Sequence, residues 1–278
     1  MPEWTDVGLT ARPDDDVLLD ELTALAADVA SRTGRMLMEE RPRDLEVDTK
    51  STPTDVVTVM DKRAERLLVE RIGAARPYDG FLGEEGASSP GSSGVTWVLD
   101  PIDGTVNYLY DLPGWGVSVA AEIDGEVVVG VVEVPTFRET FAATRGHGAT
   151  RNGTVIGVSR CSDLPQALVA TGFSYDAHER EAQARVVSAM IGSVRDIRRF
   201  GAASVDLCEV ACGRVDGYFE RGLHPWDLAA GGLIVTEGGG RVEGLHGAPA
   251  GESLVLAAGA AIFAALHDLL APMRPDLP

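Results

Sequence analysis

Residues 97–108 read WVLDPIDGTVNY. An apolar run ends in Asp100, Asp103 follows three residues later across Pro101, and Gly104-Thr105 comes next. The run has the pattern of a buried strand, where carboxylates are costly unless hydrogen-bond donors or a cation offset their charge. Two readings fit the pair: a capped turn, or ligands that hold a metal ion over a phosphate. Pro101 stiffens the loop between the two acids. Gly104-Thr105 can open a helix whose first backbone N–H groups would face an anion.

Outward from this stretch the chain alternates helices and strands. Residues 17–40 carry apolar side chains at helical intervals behind an acidic N-terminal tail, residues 1–16, expected to be mobile. Residues 41–53 read as a loop, 56–59 as a short strand, and Asp61 as the cap of a helix reaching about Ala75. A strand is expected at 80–83 and a flexible loop at 87–94. From 115 to 157 the pattern becomes an antiparallel meander with Asp124-Gly125 as one hairpin turn. Beyond it, strands near 167–171, 196–199, 217–220, 242 and 253–258 alternate with helices at 179–192, 203–212, 226–237 and 260–270. Such a pattern implies an α+β layered architecture of mixed and antiparallel sheets with packed helices. One compact domain over residues 17–271 is expected, in two closely packed halves, 17–150 and 151–271.

The totals narrow the function. The 278-residue chain is 45% hydrophobic, with 24 basic against 43 acidic residues, a formal net charge of −19 and a pI near 4.6. Nucleic acid is therefore not an expected partner, because phosphate-backbone binding needs clustered Lys and Arg. No apolar run approaches the roughly 18 residues of a membrane span, and the N-terminus lacks the apolar core of a signal peptide. A cytoplasmic protein is expected. Three cysteines, Cys161, Cys208 and Cys212, form no disulfide framework.

Two further motifs set acidic residues at the edge of apolar elements: FLGEEG at 81–86 and HPWDLAAGGLIVTEGGG at 224–240. Three such motifs suggest carboxylates converging on hard cations, for which Asp and Glu oxygens are the preferred ligands. The DPID spacing does not fit an EF-hand, whose acids alternate along the loop. It is also one residue longer than the DxDGT of haloacid-dehalogenase phosphatases, which argues against an aspartyl nucleophile.

KSTPTDVVTVMD (50–61), GEE, WVLDPIDGTVN, GAASVDLCEVACGRVDGYFE (201–220) and WDLAAGGLIVTEGGG occur in an order that resembles the inositol monophosphatase family, over roughly residues 19–270. The resemblance implies the layered αβαβα sandwich of the sugar-phosphatase type and a lithium-sensitive, Mg²⁺-dependent phosphatase with two or three ions. It implies that Glu84, Asp100 and the carbonyl of Ile102 hold one ion, and that Asp100, Asp103 and Asp227 hold a second. Thr105, with Asp55 as partner, would orient the attacking water. Glu84 would assist with a weaker third ion. Asp103, Gly104, Thr105, Gly201, Ala202, Ala203, Glu220 and Asp227 would contact the substrate, with Glu220 accepting hydrogen bonds from polyol hydroxyls. Val106 and EGGG depart from the commonest family pattern without removing a ligand.

The expected activity is hydrolysis of a small phosphomonoester, inositol 1-phosphate first, by water and without a covalent intermediate. Histidinol-phosphate and 3′-nucleotide phosphatases share the motifs and remain alternatives. So does a regulatory protein that keeps the phosphatase fold. A homodimer is expected from the resemblance.

Overall fold

The computed structural model describes residues 13–42, 47–49 and 56–277. Helix α1 (Pro13–Glu39) leads to a small antiparallel pair, β1 (Val47–Thr49) and β2 (Val56–Thr58), and then to α2 (Val59–Ala75). Strands β3 (Gly80–Gly83), β4 (Ser88–Ser89) and β5 (Val95–Asp103) precede a single turn of helix, α3 (Thr105–Leu109). The meander follows as β6 (Gly116–Ile123), β7 (Glu126–Val134), β8 (Glu139–Thr144), β9 (Ala149–Arg151) and β10 (Thr154–Val155). The remainder is β11 (Leu168–Thr171), α4 (Ala177–Met190), β12 (Asp196–Arg198), α5 (Ala203–Ala211), β13 (Gly217–Glu220), α6 (Pro225–Glu237), β14 (Gly240–Glu243), β15 (Val255–Gly259) and α7 (Phe263–Leu270).

Eight strands form one sheet in the order β10-β9-β8-β7-β6-β5-β3-β4, with β3 parallel to β5 and every other pair antiparallel. Five form a second, β12-β11-β13-β15-β14, mixed in direction. Three apolar clusters show the layering. One packs α1 and α2 on the outer face of the large sheet through Leu22, Ala26, Leu68 and Ile72 against Trp97, Val117 and Val129. The largest buries α5 and α6 between the sheets, where Val205, Cys208, Ala230 and Ile234 meet Val132, Phe141, Tyr218 and Ala257. The third covers the outer face of the small sheet with α4 and α7. The result is a five-layer αβαβα sandwich. In the middle layer Gly130 lets β7 approach α6, since a Cβ there would lie 2.7 Å from the Ala230 carbonyl oxygen.

Local differences from the sequence reading are small. Helix α1 opens at Pro13 rather than at residue 17, because apolar periodicity marks a buried face and not a helix end. The expected tail therefore shortens to residues 1–12, which lie outside the described residues. Part of the loop expected at 41–53 is strand β1, exposed along its length and without an apolar signature. Helix α2 is capped by Thr58, with Asp61 three residues on closing a capping box.

Candidate metal and phosphate site

The ladder between β5 and β6 pairs Asp100 with Ser118 and next pairs Asp103 with Gly116, so two residues of β5 oppose one of β6. In a regular strand, residues three apart point to opposite faces. The bulge at Pro101-Ile102 supplies the extra residue that turns both acids to one side, and a proline without an N–H is tolerated there. Asp227 arrives from the first turn of α6. One carboxylate oxygen each from Asp100, Asp103 and Asp227 lies within 4.8 Å of the others.

These carboxylates are strained electrostatically. Burial, then the charges of Glu84, Asp103 and Asp227, pushes Asp100 well above the usual carboxylate range. Burial and Asp103 do the same to Asp227, against the opposing pull of the His224 N–H, which donates to Asp227 Oδ2 at 2.7 Å. Asp103 is raised by burial to about 6, with the donors of Ser204 and Ala203 holding it down. Three like charges converging in a buried space are what a divalent cation relieves, and all-oxygen donors fit a hard ion. Glu84 stands next to Asp100 because β3 runs parallel to β5, pairing Gly83 with Leu99. It lies outside the trio but lines the same cleft.

Neighbouring polar groups hold each acid. Asp100 Oδ1 accepts the Ile102 N–H at 3.0 Å. Asp103 reaches across to the N-terminus of α5, accepting from the Ala203 N–H at 3.2 Å, the Ser204 N–H at 2.6 Å and the Ser204 hydroxyl at 2.6 Å. It thereby caps a helix whose own N-cap, Ala202, offers no side-chain acceptor. The Thr105 hydroxyl lies 3.2 Å from Asp61 Oδ1 and 3.1 Å from the Ile102 carbonyl oxygen. Asp61, fully buried, uses Oδ2 to accept from the Thr58 N–H and hydroxyl at 2.8 and 2.6 Å. Among the described residues the acid that meets Thr105 is Asp61, which the sequence suggested only as a helix cap. Asp55 lies outside the described residues.

Gly104 adopts φ 89°, and a Cβ there would lie 3.0 Å from the Ala202 Cβ, so glycine is required where β5 passes α5. A cleft of about 620 Å³ opens beside the carboxylates, walled by Glu84, Asp103, Gly104, Gly201, Ala202, Ala203, Glu220 and Asp227. Glu220 is pushed up to about 7 by burial, opposed by the Tyr218 hydroxyl, which donates at 2.5 Å, and by the charge of Arg199. Its carboxyl lies over the neighbouring strand at Gly172, where a Cβ would come within 1.9 Å of Glu220 Oε2. Sequence reasoning missed Gly172, Ser204 and Glu65. Glu65 accepts the N–H groups of Glu85 and Ala87 at 2.8 and 2.9 Å and so pins the loop that carries Glu84.

A five-layer αβαβα sandwich sets an acidic trio at a strand bulge beside a polar cleft, and three carboxylate oxygens this close could hold a metal ion. The comparisons agree: the family model for the inositol monophosphatase family matches residues 18–277, and the chain belongs to that family. The inositol-1-monophosphatase SuhB of Mycobacterium tuberculosis is 43% identical over 237 residues, covering 82% of this chain and 81% of its own. The Nus factor SuhB of Escherichia coli is 39% identical over 227 residues, 80% of this chain and 85% of its own. Among solved structures, the extragenic suppressor protein suhB of Bartonella henselae superposes with a TM-score of 0.85 at 34% identity, covering 90% of this chain and 98% of that one. The chain is thus a phosphoric monoester hydrolase by family. Among the described residues no helix is long and apolar enough to cross a membrane.

Proposed function

We propose that this protein hydrolyses a small polyol phosphate, inositol 1-phosphate or a close relative, with Mg²⁺ as its ion. The observation that carries the reading is the convergence of buried Asp100 and Asp103 with half-buried Asp227, an oxygen of each within 4.8 Å of the others, opening on a cleft walled by Glu220. By family resemblance, Glu84, Asp100 and the Ile102 carbonyl would hold one ion, and Asp100, Asp103 and Asp227 another. Bound there, Mg²⁺ would neutralise charge on the phosphate and make water a better nucleophile at neutral pH. Thr105 and Asp61 form the pair suited to orient that water and receive its proton, since Asp61 is held by Thr58 and cannot turn away. Asp103 has both oxygens committed to α5 donors, which suits a ligand and not a nucleophile. The backbone N–H groups of Gly104 and Thr105 face the phosphate, and Gly201 to Ala203 and Glu220 bind the alcohol. Glu220 accepts from ring hydroxyls, favouring polyols over apolar leaving groups.

The test is phosphate release from inositol 1-phosphate, histidinol phosphate and a 3′-nucleotide, with Mg²⁺ and after chelation. Inositol 1-phosphate should be turned over fastest, activity should vanish on chelation, and Asp100→Asn or Asp227→Asn should lower turnover at least ~10³-fold. Full activity after exhaustive metal removal overturns the reading. Inhibition by lithium and a cytoplasmic location belong to the same proposal, the latter supported by three free cysteines. So do two halves, 17–150 and 151–271, with the cleft between them. A homodimer is supported by exposed Tyr110, Leu112, Phe137 and Phe200, the last two lining one apolar groove. Light scattering of the purified protein checks it. The name of the Escherichia coli relative favours a second reading, a regulator acting through a macromolecular partner; a stoichiometric complex with negligible phosphatase activity would establish it.

A further inference from the structure

Away from the carboxylate cleft, α1 and α2 pack side by side and leave a groove of about 560 Å³ between their outer faces. Its walls are two stripes at helical spacing. Arg32 and Arg35 project from α1, and Arg63, Arg66 and Arg71 from α2. The groove shares no lining residue with the cleft that holds Glu84, Asp103 and Asp227. Five arginines against Glu39, Glu40 and Glu70 leave a local excess of positive charge in a chain whose formal net charge is −19.

The ion pairing inside the groove is incomplete. Arg32 is paired with Asp28 at 2.8 Å along α1, and Arg63 bridges to Glu40 across the two helices. Arg35, Arg66 and Arg71 make no ion pair among the described residues, and Arg35 acts on Glu133 only at longer range. Met36 and Leu67 line the groove between the two stripes. Unpaired guanidinium groups on opposing helices, above a partly apolar floor, present forked donors from two sides, the arrangement that matches phosphate oxygens bidentately.

The stripe from Arg32 to Glu40 spans about 12 Å at 1.5 Å per residue, and acids bound it. A nucleic-acid backbone leaving the groove would run onto a strongly acidic surface, whereas a compact anion would stay within it. We propose that the groove between α1 and α2 binds a compact oligophosphate, a chain of two or three phosphates, through Arg35, Arg66 and Arg71, independently of the carboxylate cleft.

Calorimetric titration of the full chain with inorganic tripolyphosphate, in chelator and at low salt, tests this. Saturable binding at one site per chain is expected, weakening as salt screens the arginines. The double variant Arg66→Ala/Arg71→Ala should bind at least tenfold more weakly, while Asp100→Asn should bind as wild type does. Both arginines are exposed, so the double variant should keep the wild-type melting temperature. ATP serves as a second probe: affinity equal to tripolyphosphate marks the bare phosphate chain as the ligand, and tighter binding marks a nucleotide, both bearing out the site. Absence of saturable binding by the wild type, or undiminished binding by the double variant, overturns the proposal.

Discussion

Metal-free protein should lose stability as the pH rises from 5 to 8. Burial lifts Asp103 from 3.8 to about 6 and Glu220 from 4.5 to about 7. Between the unfolded and folded values the native state holds protons that the unfolded chain has released, so stability falls with pH and levels off above the folded value. At pH 5 Asp103 still has about one pH unit of that window ahead of it and Glu220 about two. At about 1.4 kcal/mol per unit, the two acids account for roughly 4 kcal/mol, and solvent around the partly exposed Glu220 reduces this toward 2 kcal/mol. Asp100 and Asp227 are raised in the same direction and deepen the fall. Carboxylates held low, such as Asp79 and Glu139, lose their contribution only in more acidic solution. At about 2–4 °C per kcal/mol for a chain of this size, the melting temperature should drop by roughly 5–15 °C. Thermal melts at pH 5, 6, 7 and 8 in chelator measure it. Excess Mg²⁺ should flatten the curve by favouring the ionised trio, and Asp100→Asn should shrink the fall by removing one charge. A metal-free melting temperature that stays level or rises across this range, or a fall that Mg²⁺ leaves untouched, would refute the reasoning.

Other outcomes follow from the contacts. Asp61→Asn should lower kcat about 10²-fold with KM little changed, the range of a lost general base, and should cost about 1 kcal/mol of stability from the weakened α2 cap. Thr105→Ser, which keeps the hydroxyl, should retain most activity; wild-type kcat in Asp61→Asn would end the pairing argument. Gly172→Ala should displace the Glu220 carboxyl and raise KM for inositol 1-phosphate about tenfold, the effect of one or two lost hydrogen bonds. Hydrolysis of p-nitrophenyl phosphate, whose leaving group has no ring hydroxyls, should be unchanged, and an equal loss on both substrates would show a general packing defect instead.

Much of the architecture was legible because patterning was strong where burial was strong. The run WVLD, the meander and the apolar helices α5 and α6 carry their periodicity openly. Strand β1 is exposed throughout, pairs with β2 and reaches α2 through the Asp48–Lys62 ion pair, so no apolar signal announced it. The acidic motifs marked Asp100, Asp103 and Asp227 as a group, and their convergence follows from a bulge that the DPID spacing encodes. Asp61 shows where reading by local rules stops. Its place three residues after Thr58 explains a capping box, yet its second oxygen meets Thr105, forty-four residues onward, through tertiary packing alone. Gly172 and Ser204 escaped for the same reason. A glycine at a strand end and a serine in a first helical turn are ordinary locally, and only the neighbouring chain segments make them matter.

The hydrogen bonds from α5 to Asp103 have a practical use. They join β5 of the large sheet to the helix that leads into the small one, so separating the two at this point must first expose the amides of Ala203 and Ser204. Those two amides exchange with solvent only when that contact opens. Their deuterium uptake is therefore a gauge of whether the site is assembled, readable with no substrate, no turnover and no knowledge of the physiological phosphate ester.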